Sequence, residues 1–102
     1  MGKEKEAIIQ ALKRFKRLSH VDKMIFFGSR TTETYKPDSD IDLIIVSKRF
    51  RKQRPLKRAP PLYMKWNLDY PVDFLCYTPE EFEALKTKVT IVREAIQHGI
   101  EI

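Results

Sequence analysis

Apolar residues near the start of the chain recur at helical spacing: Ile8, Leu12 and Phe15 stand at i, i+4 and i+7, Ile9 lies beside them, and lysines and arginines fill the other positions. This pattern predicts an amphipathic helix over residues 3–19, with His20 at its negative end as an ordinary cap. A short strand from Lys23 to Phe27 follows, then a Gly28-Ser29 turn and one or two helical turns through Thr34, closed by Pro37. The run Ile41 to Ser47 is continuously apolar after its acid, which predicts a central strand covered on both faces. Pro60-Pro61 suits the start of a helix carrying Leu62, Tyr63 and Trp66, and Pro71 to Tyr77 reads as a third strand. Thr78-Pro79-Glu80-Glu81 has the form of a capping box, so a helix through Lys86 is expected. A last helix over residues 89–98 offers Ile91, Val92, Ala95 and Ile96 to the core and stops at Gly99, with His98 in its final turn.

The order is therefore α-β-α-β-α-β-α-α with no internal repeat, an α+β chain in which helices flank a small mixed sheet as two layers. Short links between the first two strands favour an antiparallel or mixed sheet over a purely parallel one. A chain of 102 residues has room for one domain and one core, not for two lobes. An enzyme this short takes part of its working surface from a partner or a large substrate.

Composition narrows the setting. Apolar residues make up 42% of the chain without a run long enough to span a bilayer, and the first residues are rich in Lys and Glu, unlike a signal peptide. A soluble cytoplasmic protein is expected. Cys76, the single cysteine, lies in an apolar strand; this excludes a disulfide framework and favours a small core residue over a reactive thiol. Charged residues reach 33% while Asn67 is the sole asparagine, a balance found in heat-adapted proteins.

The net charge of +6 is concentrated in one segment. Lys48, Arg49, Arg51, Lys52, Arg54, Lys57 and Arg58 follow one another without an acid between them, and the remaining residues sum to −1. That stretch reads equally as a solvated loop or as a contact for RNA or an acidic partner. Phe50 is its only aromatic residue, which argues against base stacking. Tyr63, Trp66 and Tyr70, at i, i+3 and i+7, have the spacing to stack on adenine, although core packing is the commoner fate of such a stripe.

Candidate chemistry gathers around the Gly28-Ser29 turn and three acids. Glycine at the mouth of a strand lets backbone approach a ligand, and serine opening a helix presents N–H groups and a hydroxyl to phosphate, with Arg30 adding charge. A P-loop is excluded because Glu33-Thr34-Tyr35 stands where a second glycine and a lysine are needed. Asp40 and Asp42 alternate along a strand and so share a face, where two carboxylates repel unless a cation or a shared proton joins them. Asp38, Asp40 and Asp42 do not form a calcium loop, since Leu43 and Arg49 replace its required glycine and glutamate. Asp73 is a lone acid on the apolar third strand, costly unless paired or bound to metal.

Gly28-Ser29, ten intervening residues, Asp40-Ile41-Asp42 and a third carboxylate at Asp73 together resemble the minimal nucleotidyltransferases of the DNA polymerase β superfamily over roughly residues 23–82. The resemblance implies a polymerase-β-like fold and transfer of a nucleoside monophosphate, usually AMP from ATP, to a hydroxyl with release of pyrophosphate. It implies that Gly28, Ser29 and Arg30 bind the triphosphate and that Asp40, Asp42 and Asp73 are catalytic and hold two Mg²⁺ ions. Asp73 would lie nearer the acceptor and help to deprotonate the attacking hydroxyl. Pro37-Asp38-Ser39 matches the family's approach to its first acid, whereas Glu33 replaces a second glycine that many relatives carry.

Some similar stand-alone proteins are antitoxins beside HEPN-type ribonuclease toxins, so the resemblance points to a HEPN-type toxin as partner and to a protein hydroxyl as acceptor. A contact-only binding module and an RNA-modifying transferase using Lys48 to Arg58 are the alternatives. A homo-oligomer is compatible with all three.

Overall fold

The computed structural model describes residues 2–28, 31, 40–88 and 90–102. Helix α1 (Gly2–Ser19) leads through strand β1 (Lys23–Phe27) to strand β2 (Ile41–Val46), helix α2 (Pro60–Lys65) and strand β3 (Val72–Tyr77). Helices α3 (Pro79–Lys86) and α4 (Ile91–His98) and a two-residue strand β4 (Ile100–Glu101) complete the chain. The expected turns through Thr34 and the closure at Pro37 lie outside the described residues, apart from Thr31.

The sheet is mixed, in the order β3-β2-β1-β4. β1 runs antiparallel to both β2 and β4, and β2 runs parallel to β3. Strand alternation divides the core in two. Met24 and Phe26 of β1 and Ile41, Leu43 and Ile45 of β2 face Ile8, Leu12 and Phe15 of α1 and Leu62 of α2. Ile25, Phe27, Ile44 and Val46 face Phe82 of α3 and Val92 and Ala95 of α4. Helices thus cover both faces of the sheet, adding a third layer to the expected two, because β2 is apolar on both sides. Leu43, Ile44 and Ile45 are sealed from solvent. Each such burial contributes roughly 2 kcal/mol, enough for the apolar body of β2 to tolerate the acid at its head.

Local signals place the helices. Thr78 and Glu81 close the predicted capping box, with each side chain bonded to the other's backbone N–H. Thr90 caps α4 by accepting from the Arg93 N–H and donating to the Leu85 carbonyl. His20 caps α1 through its backbone: at φ 55° its N–H donates to the Lys16 carbonyl at 3.1 Å. The aromatic stripe is largely core, since Trp66 meets Phe15 and Phe74 edge-on and donates its ring N–H to the Tyr70 carbonyl.

Three expectations need correction. Ile91 and Ile96 are exposed rather than buried, because α4 lies on the sheet through Val92 and Ala95. β4 was not foreseen, since two residues after Gly99 are too short for any periodic signal; they pair with Ile25 and Phe26 of β1. The basic stretch, read as a solvated loop, keeps its cations exposed apart from Arg58 but is organised into two 3-10 turns, Lys48–Lys52 and Pro55–Lys57. Ser47 caps the first through its hydroxyl, and Phe50 anchors it in the core.

Arg58 locks this segment to the sheet. It is buried, donates to the Gln53 and Cys76 carbonyls and forms a two-pronged pair with Glu81 at 2.7 and 3.3 Å. The same Glu81 oxygen accepts the Thr78 N–H, so one carboxylate serves the helix cap and the guanidinium together. The pair with Arg58, assisted by the Thr78 N–H, holds the Glu81 carboxyl below its usual range. Among the described residues no helix is long and apolar enough to cross a membrane.

Arg58→Ala should destabilise the fold by about 2–3 kcal/mol, since it strands Glu81 and two carbonyls, and Arg58→Lys should recover only part of that loss because it cannot form the fork. Urea unfolding of both variants measures the effect; equal stability of Arg58→Ala and wild type would show that the clamp is idle.

Candidate active site

The site is built where β1 ends and β2 and β3 begin. β1 runs out into Gly28, whose φ of 90° suits glycine, and a Cβ at this position would collide with the Asp42 carboxylate. Backbone therefore passes directly over the acid. The turn beyond is closed by Thr31, which donates both its N–H (3.1 Å) and its hydroxyl (2.6 Å) to the Gly28 carbonyl. Lys5 of α1 then donates to the Thr31 carbonyl at 2.8 Å, tying the turn to the first helix. Ser29, Arg30 and Glu33, on which the sequence placed triphosphate binding and a departure from the family pattern, lie outside the described residues.

Register brings the acids together. β2 and β3 are parallel and paired in step, so Asp42 stands opposite Asp73, with Cα atoms ~4.8 Å apart for neighbouring strands. Both side chains take the face that carries Ile44, Val46 and Leu75. Phe27 is Asp42's antiparallel partner on the other side. Asp40 lies two residues upstream of Asp42, at the exposed entrance to β2. Register thus aims Asp42 and Asp73 to the same side, with Asp40 just ahead of the strand.

Charge reports the same proximity. Burial, then Asp73, then Asp40 push the Asp42 carboxyl above its ordinary range, and among the described residues no cation counters them. Asp42 is half-buried, whereas Asp40 and Asp73 are exposed. Among the described residues no three acids, histidines or cysteines close into a ready metal cage. The tight element is the Asp42–Asp73 pair, with Asp40 acting from the rim. An all-carboxylate donor set suits a hard divalent cation such as Mg²⁺, which takes one or two protein carboxylates and completes its shell with phosphate and water oxygens.

Two contributors escaped sequence reasoning. Lys5 was one of many exposed-looking lysines on an amphipathic helix, and Thr31 one of two adjacent threonines after the turn; only tertiary contact distinguishes them. Cys76, in contrast, is as inert as expected, since burial pushes its thiol up to about 11 and keeps it protonated at neutral pH.

The sequence matches the nucleotidyltransferase domain family over residues 8–99, nearly the whole chain. The fold is similar to that of a Sulfolobus solfataricus protein, provisionally assigned as a nucleotidyltransferase and known from a 1.40 Å crystal structure. That similarity has a TM-score of 0.54 and 25% sequence identity, and covers 82% of this chain and 81% of the other. Comparison with curated proteins finds no match. Family, fold and the meeting of Gly28 with Asp42 and Asp73 agree: the chain belongs to the nucleotidyltransferase domain family and is a nucleotidyltransferase.

Proposed function

We propose that the protein transfers AMP from ATP to a hydroxyl of a partner protein, with Asp40, Asp42 and Asp73 as its catalytic carboxylates and Gly28, Ser29 and Arg30 as its triphosphate cradle. The observation that carries this reading is Asp42 itself, held beneath Gly28 and beside Asp73 in a charge conflict that no cation among the described residues relieves. A site that stores such repulsion favours arrival of a cation bound to an anionic nucleotide. Asp40, Asp42 and Asp73 would hold Mg²⁺, which when bound lowers the charge on phosphate oxygens and the pKa of an attacking hydroxyl.

The chain's own groups supply orientation and proton transfer. Gly28, lacking a side chain, lets the backbone pass against Asp42, and the Thr31 and Lys5 bonds keep that turn in place. Asp73, the more exposed of the strand pair, takes the proton of the acceptor hydroxyl. The acceptor oxygen then bonds to the α-phosphorus as the bond from that phosphorus to the bridging oxygen breaks, and pyrophosphate departs with the electron pair. The resemblance to stand-alone minimal nucleotidyltransferases supports an antitoxin role, with a HEPN-type toxin as the acceptor protein.

Incubation with labelled ATP, Mg²⁺ and a HEPN-type toxin should label the toxin, and Asp42→Asn should reduce labelling by at least about a hundredfold. Labelling that is absent, or undiminished in the variant, overturns the transfer reading; Mg²⁺-independent neutralisation of the toxin would instead identify a contact-only module.

The raised pKa of Asp42 also fixes a sign. Its ionised form is disfavoured in the folded protein, so it lowers stability above its folded pKa and ceases to do so as pH falls through that value. Asp42→Asn should therefore raise the thermal midpoint at neutral pH without nucleotide, with the gap narrowing in acid. In a carboxyl-carbon NMR titration, Asp42 should titrate above ordinary aspartates and move down in Asp73→Asn; an unmoved midpoint would mean that the two acids do not interact.

Gly28→Ala combines a strained φ with a clash against Asp42. A loss of about 1–2 kcal/mol in urea unfolding is expected, together with weakened ATP binding by calorimetry. Full retention of both would remove the turn from the site.

A further inference from the structure

A second concavity lies at the opposite end of β3 from the acids. It encloses about 380 Å³, with Cys76 and Tyr77 as floor, Pro55 on one bank and Ala84 and Leu85 of α3 on the other. β3 is an edge strand, so this groove runs along the open side of the sheet. Its end wall is the Arg58–Glu81 pair, which makes it rigid. On the Pro55 bank, Leu56 is 90% exposed, an unusual position for leucine.

The charge around the groove is one-sided. On α3, Glu80 pairs with Arg51, Glu81 with Arg58 and Glu83 with Lys86. On the Pro55 bank, Arg54 and Lys57 are exposed and have no ion-pair partner among the described residues. All three helix acids are neutralised within the fold while these two cations are not. The potential left for a visitor is positive, beside an apolar slot.

Resting on the reading of a protein acceptor, we propose that this groove docks an acidic, apolar-anchored segment of the partner protein. An apolar side chain enters between Pro55 and Leu85, and flanking carboxylates meet Arg54 and Lys57. Nucleic acid is the poorer fit, because Phe50 is buried beneath Arg58 and Tyr77, the single aromatic lining residue, is half-buried in the floor. Cys76 is three residues beyond Asp73 along β3, ~10 Å at strand rise. A segment anchored in the groove therefore needs only a few further residues to bring a hydroxyl to the carboxylates.

The probe is a fluorescent helical peptide with leucines at i, i+4 spacing and glutamates elsewhere, compared with its lysine counterpart and with a uridine oligonucleotide. The full-length protein should bind the acidic peptide in a salt-dependent manner and bind the other two at least about tenfold more weakly. Arg54→Glu with Lys57→Glu, and separately Ala84→Phe to fill the slot, should each weaken the peptide roughly tenfold while ATP binding is unchanged. Asp42→Asn should leave peptide affinity intact, which separates the groove from the nucleotide chemistry. No binding of the acidic peptide, indifference to both sets of substitutions, or preference for the oligonucleotide would overturn the proposal.

Discussion

Asp42 is held in a position where its own charge is unwelcome, and the chemistry of this fold follows from that conflict. The parallel pairing of β2 and β3 sets Asp73 opposite it, the antiparallel pairing with β1 sets Phe27 on the other side, and Gly28 passes overhead. None of these neighbours offers a positive charge. Water would screen the repulsion between exposed carboxylates, but partial burial removes part of that screening, so the Asp42 carboxyl is pushed above its ordinary range and an arriving positive charge would favour its ionised form. Such strain survives because the rest of β2 is apolar and sealed, which holds register against the repulsion at its head.

A change of register would undo this. Slipping β3 by one residue would turn Asp73 to the opposite face, against Phe15, and carry Phe74 away from that core. The stacked Phe15 and Phe74 rings and the edge-on contacts of Tyr63 and Trp66 with Phe74 oppose any such slip. At the far end, the Ser47 N–H donates to the Tyr77 carbonyl and Arg58 grips that of Cys76, so β3 is pinned at the end remote from the acids. The aromatic stripe thus supports the site by fixing the strand that bears its third carboxylate.

Strand alternation made the acids legible in the sequence, because Asp42 and Asp73 each interrupt an apolar strand and Asp40 stands two residues ahead of Asp42. Capping boxes and prolines were equally readable, being local: Thr78 to Glu81 needs no partner beyond its own helix. What escaped was decided by distant contacts. Arg58 looks like one of seven equivalent cations, and only the return of β3 and α3 beside it makes it a buried clamp. Lys5 was indistinguishable from its neighbours until α1 lay against the glycine turn. Ile91 and Ile96 misled because eight residues of helix carry more apolar side chains than one line of contact can use.

The strand polarity has a last consequence for how so short a chain can select an acceptor. β3 carries Asp73 near its start and the groove floor at its finish, so the candidate carboxylates and the groove occupy two ends of one element and share no side chain. Residues that grip a partner can then be strongly positive without drawing the catalytic carboxylates into ion pairs, a conflict that would arise if both tasks met at one point. Arg51 and Arg58 are spent on Glu80 and Glu81, which keeps those two cations in place along α3. The remaining cations face outward from a framework anchored by Phe50 and Arg58, and a rigid display loses less entropy on binding than a loop that must first be ordered.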